Sequence, residues 1–404
     1  MLRVVIISPL PPQKTGESPY TAKLIEKLVE LADVEIVAIA GPEADPLPNK
    51  EGRVQTYPIW EGRNLLYPFR LLRRIRKLKP HIVHVQFGPH GEVYGGLFGE
   101  RMLILLLLLR LCGIKTTVTS HSTWMKNQVE NRVRTYQKLG FFAPLAKGFF
   151  SIYMKLLDWG TDTIQLSTVK LSSALRRRFL EEYNISCRKV LEIPHPCREI
   201  EDRLDGSIAR KQLGLDGRKI LLVFGFIKRG KGLEQAVEAV KHLKEDYPEV
   251  ILLIAGSALE DDDKKYLKEI RKLVEDSILK ENVRIDAHYI PEDEIPTYYS
   301  AASAILVPYT ESIGASGPIH NFAGYGTPII ASDVGLHNRE SLGGEVIVYK
   351  PDNPKDLSEK IEMLLRDQKL VQKISKSQIA YTKKQSWIEG AKQTLENYRT
   401  TLKL

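Results

Sequence analysis

Cysteine is scarce in this sequence. Cys112, Cys187 and Cys197 stand far apart in 404 residues. An odd, scattered set excludes a disulfide framework as the main support and favours a reducing compartment. Long apolar runs are missing too. The longest, Met102 to Leu109, has eight residues and ends at Arg110, whereas a helix that spans a bilayer needs about 20. Val4 to Ile7 is too short for a signal-peptide core, and Ser8-Pro9-Leu10-Pro11-Pro12 follows it. The expected location is the cytoplasm. There is no low-complexity tract and no fine repeat. No metal-ligand set stands out either. His81, His84 and His90 are joined by no carboxylate or cysteine cluster, and the first two flank a strand at a spacing that points them to opposite faces. They read as core or surface histidines. No nucleic-acid motif is present.

What is present is an ordinary globular composition, 43% hydrophobic and 27% charged, long enough for two or three domains. The charge is uneven. Residues 1–190 carry 28 Lys and Arg against 16 Asp and Glu, a net +12, and residues 191–404 carry 31 against 34, a net −3. A positive excess confined to one half points to an anionic partner there: phospholipid, nucleic acid or a phosphorylated substrate.

Short β-branched runs alternate with amphipathic helices. Val4–Ser8, Val34–Ala40, Ile82–Gln86, Thr116–Ser120, Thr163–Leu166 and Val190–Ile193 are expected strands, with helices at Tyr20–Ala32, Leu65–Lys79, Val93–Leu111, Leu145–Trp159 and Val169–Glu181. The pattern restarts at strand Ile220–Phe226. It runs through helix Leu233–Lys244, strand Val250–Ala255, helix Lys264–Val274, strand Val283–Ile285, helix Pro291–Ala301 and strand Ala304–Val307. A loop, a short helix near Ile319–Tyr325 and strand Pro328–Ala331 follow, and helices at Pro354–Arg366 and Ser386–Lys403 close the chain. This alternation predicts an α/β protein with two tandem doubly wound, Rossmann-like domains and buried parallel strands. Domain limits of 1–196 and 197–385 are expected, within the Pro- and Gly-rich stretch Pro194 to Asp216, with a closing helix over 386–404 that returns toward the first domain. Ligands of such pairs sit at the carboxyl ends of the strands, in the cleft between domains.

Two segments carry chemistry. Gly225-Phe226-Ile227-Lys228-Arg229-Gly230-Lys231-Gly232 follows a strand and opens a helix. Its glycines permit close backbone approach, and Arg229 and Lys231 add charge at a helix N-terminus, which together would hold a diphosphate. The alternative is a solvated basic turn. The second segment is Pro308-Tyr309-Thr310-Glu311-Ser312-Ile313-Gly314-Ala315-Ser316-Gly317, continuing to Gly324-Tyr325-Gly326-Thr327-Pro328. Here exposed backbone N–H groups could meet phosphate oxygens while Glu311 accepts bonds from sugar hydroxyls. The alternative is a loop whose small residues only shape turns. Asp261-Asp262-Asp263 fits a helix N-terminus better than a metal site.

In order along nearly the whole chain, these segments resemble the family 4 glycosyltransferases. Glu311 to Pro328 resembles the family's donor loop with its Gly-Thr-Pro turn, and Gly225 to Gly232 is similar to its diphosphate loop. Pro11-Pro12-Gln13-Lys14-Thr15-Gly16 resembles its N-terminal glycine loop, Ile193-Pro194-His195-Pro196 its interdomain linker, and Tyr289 to Ala302 the helix before the donor loop. His121 matches its active-site histidine. The resemblance implies a GT-B fold and retaining transfer of a sugar from a UDP- or GDP-linked donor, with no metal or other cofactor. It implies that Arg229 and Lys231 neutralise the leaving diphosphate. Glu311 would bind sugar hydroxyls near the backbone of Ile313, Gly314, Ala315, Ser316 and Gly317. His121 would reach the sugar from the first domain. Gly16, Gly225 and Gly230 would bring backbone close to the donor. The sequence departs from the pattern at the second family glutamate. Eight residues after Glu311 stands Ile319, and counting back from Gly326 places Asn321 there, a neutral residue where the family grips the ribose. Glu340 falls near a further donor-side loop.

The anionic partner of the first half is sought in two segments. Residues 63–79 hold Arg63, Arg70, Arg73, Arg74, Arg76, Lys77 and Lys79 with no acid. On a helix, Leu71, Leu72, Ile75 and Leu78 form one stripe, with Arg70, Arg73, Arg74 and Lys77 opposite. Residues 138–159 interleave Phe141, Phe142, Leu145, Phe149, Phe150, Ile152, Tyr153, Leu156 and Trp159 with Lys138, Lys147 and Lys155. Such helices suit an interfacial contact with an anionic membrane, on its inner face, and a lipid-linked acceptor or glycan precursor. The bland alternative is a buried stripe with a solvated charged face. Two other functions stay open: a sugar-nucleotide epimerase of the same fold, and a non-catalytic sugar-nucleotide-binding module.

Overall fold

The computed structural model describes residues 1–88, 91–96, 98–122, 125–126, 128–130, 143–167, 173–186, 190–201, 203–277, 279–310, 316–334 and 341–403. The chain divides into two compact units. Met1–His195 with Trp387–Leu404 form the first, and Pro196–Ser386 the second.

The first unit winds seven parallel strands in the order β3-β2-β1-β4-β5-β6-β7. They are β1 Leu2–Ile7, β2 Val34–Ala40, β3 Val54–Pro58, β4 Ile82–Phe87, β5 Thr116–Ser120, β6 Thr163–Leu166 and β7 Val190–Glu192. The second winds six, β10-β9-β8-β11-β12-β13. These are β8 Lys219–Phe224, β9 Val250–Ala255, β10 Val283–Asp286, β11 Ala302–Val307, β12 Ile329–Ser332 and β13 Ile347–Tyr349. Central strands such as β1, β4 and β9 are buried on both faces because helices cover both sides, which is why they read as unbroken apolar runs. Strand order reverses between β1 and β4 and between β8 and β11. Loops leaving those pairs diverge, and the carboxyl ends there are open to a ligand.

Several elements differ from the sequence expectation. β3 and β13 pair on one side only. β3 is half-exposed and ends in Pro58, and β13 has only three residues, so neither shows a buried β-branched run. The single helix expected over Val93–Leu111 is broken into Gly91–Tyr94 and Glu100–Leu111. Gly95, Gly96 and Gly99 lie at φ +80°, +87° and +83°, outside any right-handed helix. A Cβ on Gly95 would fall 2.3 Å from the Gly62 carbonyl oxygen. Helices Gly206–Gln212 and Gln368–Lys384 add to those expected in the second half. The last helix, Trp387–Lys403, packs on helix Glu17–Leu31 of the first unit.

Candidate active site

In the second unit, β8 runs into Gly225 at φ +119°, with Gly230 at +84° and Gly232 at +64°. A Cβ on Gly232 would lie 1.8 Å from the Pro308 carbonyl oxygen, and one on Gly256 would lie 1.9 Å from that of Gly225. Only glycine lets these backbones approach. The Thr310 amide donates to the Gly230 carbonyl at 3.0 Å. The two segments expected to carry chemistry are thus hydrogen-bonded to each other at the ends of β8 and β11.

Lys231 is held at this junction. Its ammonium sits 3.8 Å from the centre of the Tyr309 ring. Burial raises the Tyr309 phenol, but the charge and hydrogen bond of Lys231 and a bond from Ser316 outweigh it, so the net shift is downward. The Ser316 hydroxyl lies 3.5 Å from the phenol oxygen. Tyr309 is the residue of this site that sequence reasoning missed; the available signal was an aromatic immediately after a strand and inside a small-residue loop. Arg229 is placed differently. Its guanidinium bonds both carboxylate oxygens of Glu269, at 2.6 and 2.7 Å, and lies 5.2 Å from the Tyr266 ring centre.

Beyond the loop, Gly317–Phe322 forms a helix whose Pro318 side chain is 4.0 Å from a Cβ built on Gly225. Ile319 is fully buried in the core of the unit. Asn321 is half-buried, its side-chain nitrogen 3.9 Å from a Cβ built on Gly317. Its neighbour His320 is fully buried, takes a 3.0 Å bond with the Ser316 carbonyl, and is pushed down to about 4 by burial. Glu311, Ile313, Gly314, Ala315 and Glu340 lie outside the described residues.

In the first unit the candidate residues present side chains. His121 follows β5, anchored by its amide to the Phe87 carbonyl at 2.9 Å. Its Nε2 meets Gln86 Oε1 at 2.8 Å, and its ring meets the Tyr20 ring edge-on at 4.7 Å. Tyr20 also contacts His195 and Trp387, at 5.3 and 5.1 Å between centroids. Burial pushes the Tyr20 phenol up to about 12 against a lowering bond with Ser167. Gln86 and Tyr20 were not singled out from the sequence. The signal for Gln86 was a polar residue near the end of an apolar parallel strand. Gly16 caps helix Glu17–Leu31 at φ −65°, with nothing within 4 Å of an added Cβ, so the protein itself does not require glycine there. Among the described residues no group of three or more His, Cys, Asp or Glu is gathered that could hold a metal ion. Cys112 and Cys197 are free thiols, and Cys187 and His90 lie outside the described residues.

The basic and aromatic helices are also sorted. On Tyr67–Leu78, Tyr67, Leu71 and Ile75 are buried. Leu72, expected in the buried stripe, instead lines a shallow groove of about 480 Å³ with Phe69, Arg73, Arg76, Lys77 and Lys79. Arg74, expected on the outer face, lies over the Tyr57 ring at 4.3 Å. On Ala143–Gly160, Phe150 and Tyr153 are core residues, while Leu145, Phe149, Ile152, Leu156 and Trp159 are 40–68% exposed. Lys138, Phe141 and Phe142 lie outside the described residues. No helix among the described residues is long and apolar enough to cross a membrane.

Comparison with known proteins matches both halves of the chain. Residues 15–182 match the glycosyl transferase 4-like domain and residues 206–381 the glycosyl transferases group 1 domain. Two Bacillus subtilis (strain 168) proteins align in part. One is provisionally named glycosyltransferase YtcC, 24% identical over 42% of this chain and 42% of its own. The other is spore coat protein SA, 25% identical over 46% of this chain and 50% of its own. The aligned region thus spans about half the length of these curated relatives. Among solved structures, sucrose-phosphate synthase from Thermosynechococcus elongatus shares the fold with a TM-score of 0.74 at 18% identity, covering 99% of both chains. Anabaena HepE in complex with UDP-glucose does so with a TM-score of 0.71 at 13% identity, over 99% of this chain and 100% of its own. With two Rossmann-like domains of the GT-B type and a family match over each, the chain belongs to the family 4 glycosyltransferases.

Proposed function

We propose that the protein moves a sugar from a UDP- or GDP-linked donor to a lipid-linked acceptor, with retention of anomeric configuration. The observation that carries this reading is the junction at the ends of β8 and β11, where Gly225–Gly232 and Pro308–Thr310 are bonded together and Lys231 is held over Tyr309. In this reading Lys231 neutralises the departing diphosphate, and Arg229 joins it when released from Glu269. Glu311 takes sugar hydroxyls, backbone N–H groups of Ile313 to Gly317 face the phosphates, Asn321 bonds the ribose, and Gly16 lets backbone approach the donor. His121 reaches the sugar. No metal is needed, because cations and backbone dipoles meet the developing charge. HepE, solved with UDP-glucose, makes a uridine donor the first to test.

The lipid-linked acceptor is argued from the first unit's surface. Helix Glu100–Leu111 packs against both Tyr67–Leu78 and Ala143–Gly160, so their outer residues share one side of the unit. Leu145, Phe149, Ile152, Leu156 and Trp159 recur at steps of four and three, one exposed stripe. Arg70, Arg73, Arg76 and Lys77, exposed and without an acid in residues 63–79, supply attraction to anionic headgroups on the inner face of the cell membrane. The deciding experiment is incubation with labelled UDP- and GDP-sugars, with and without membrane lipid extract. Sugar appearing on lipid supports the proposal. Interconversion of the sugar nucleotide would make the protein an epimerase, and binding without turnover a non-catalytic module.

A further inference from the structure

The sheet beneath the last helix of the first unit is polar. In register across three strands lie His84, Thr117 and Thr163, and two residues on lie Gln86, Thr119 and Gln165. All six are buried to 1% exposure or less. Residues two apart in a strand share a face, so this is one polar patch. Helix Trp387–Lys403 meets it with Asn397, Tyr398 and Thr401. Asn397 donates to Thr117 at 3.0 Å and accepts from Thr163 at 3.0 Å. The Thr401 hydroxyl meets that of Thr163 at 2.8 Å. Tyr398 Oη lies 2.7 Å from His84 Nδ1.

From His84 the chain of bonds leads out of the core. His84 Nε2 is 2.7 Å from Thr119 Oγ1 and 3.1 Å from Gln86 Nε2. Gln86 Oε1 is 2.8 Å from His121 Nε2. Burial, with the charge of His121 as a second cause, pushes His84 down to about 3, so its ring is neutral. The proton positions then follow by elimination. An amide nitrogen only donates and an amide oxygen only accepts. His84 Nε2 must accept, so the His84 proton sits on Nδ1 and is donated to Tyr398. His121 Nε2 must donate, so it carries a proton, and in the neutral imidazole the lone pair is then on Nδ1.

We propose that Gln86, oriented by His84 and through it by Tyr398 of the closing helix, is a positioning residue that holds the His121 imidazole in its Nε2-protonated form. The inference rests on the proposed role of His121 at the transferred sugar. The closing helix thereby acts on the chemistry as well as on the packing, since its phenol is the far end of a bonded line that orients the histidine.

The test uses the full-length protein labelled with ¹⁵N-histidine. The ring-nitrogen shifts of His84 and His121 report which nitrogen carries each proton, with His84→Gln and His121→Gln identifying the signals. The expected spectrum has His84 protonated at Nδ1 and His121 at Nε2. Gln86→Met should abolish the fixed His121 form. It should lower the rate of UDP release from UDP-glucose by about 10- to 100-fold, as loss of an outer partner that orients a functional histidine does, with KM held within about threefold. Gln86→Glu still accepts from His121 but no longer donates to His84. It should keep the His121 proton on Nε2 while moving the His84 proton from Nδ1 to Nε2, a change that a merely space-filling residue would not cause. A His121 proton on Nδ1 in the wild-type protein, or a His121 form unchanged by Gln86→Met, overturns the inference. The spectra need no substrate. A wild-type protein inert toward every donor would therefore sink the proposed transfer and leave this assignment to stand or fall on its own signals.

Discussion

At the carboxyl ends of β8 and β11 the second unit presents backbone. Gly225, Gly230 and Gly232 take positive φ, and Gly232 abuts Pro308. At the ends of β4 and β5 the first unit presents side chains. His121, Gln86 and Tyr20 are held by a buried line of bonds and by aromatic edges, and the one glycine expected to matter, Gly16, has open space around it. The same doubly wound scaffold is therefore finished in two different ways at its strand ends. Backbone amides and a lysine suit a diffuse negative charge such as a diphosphate, whose recognition needs proximity more than direction. An oriented imidazole suits one particular proton or hydroxyl, and orientation requires a supporting shell.

The largest expected effects lie in the second unit. Lys231→Ala should depress kcat by ~10²–10³-fold with a lesser change in donor KM, because the charge it meets grows toward the transition state. Arg229→Ala should cost less, since that guanidinium is committed to Glu269 at 2.6 Å. Equal losses would show that Arg229 leaves Glu269 when donor binds and would erase the distinction between the two cations. Glu311→Ala should abolish transfer while calorimetry still registers UDP binding; if UDP binding vanished too, the carboxylate would belong to the nucleotide rather than to the sugar.

Glycines sharpen the contrast at the next level. Gly232→Ala imposes a side chain at φ +64°, 1.8 Å from the Pro308 oxygen. It should cost at least about 1–3 kcal/mol in a urea or thermal melt. Single neutralisations on the first unit's outer surface come next. Arg73→Gln should weaken co-sedimentation with anionic vesicles about fivefold, from about 1 kcal/mol per basic residue, and the difference should shrink at high salt. Equal binding of the wild-type protein to neutral and anionic vesicles would refute the membrane face. The smallest effect on folding belongs to Gly16→Ala, at right-handed φ and in open space. Stability should hold or rise by less than about 1 kcal/mol, so any increase in donor KM isolates close approach by the ligand. An unchanged KM would leave Gly16 out of the site.

Much of this was legible in the residues. β2, β5, β6 and β9 begin and end where their β-branched runs do, because a strand buried on both faces writes its length as apolar sequence. The Gly225–Gly232 turn was legible because positive φ and close approach leave glycine as the residue of choice. β3 and β13 were not: β3 is half-exposed and ends in Pro58, and β13 is only three residues long. The break at Gly95–Gly99 was not, because glycines inside an apolar pattern can pass for tolerated helix residues until their dihedral angles are known.

The sequence by itself determined the two doubly wound halves and the family pattern, and it pointed to Arg229, Lys231, Glu311 and His121 as candidates, because local periodicity and motif order are properties of neighbours in the chain. Tertiary structure alone decided what Lys231, Arg229 and His121 touch. It set Lys231 on Tyr309 and Arg229 on Glu269, buried Ile319 while leaving Asn321 half-exposed, and joined His121 through Gln86 and His84 to Tyr398. The last of these joins residues 314 positions apart. A hydrogen bond demands about 3 Å and a direction, and no spacing along a chain specifies either until the sheet and the helix across it have packed.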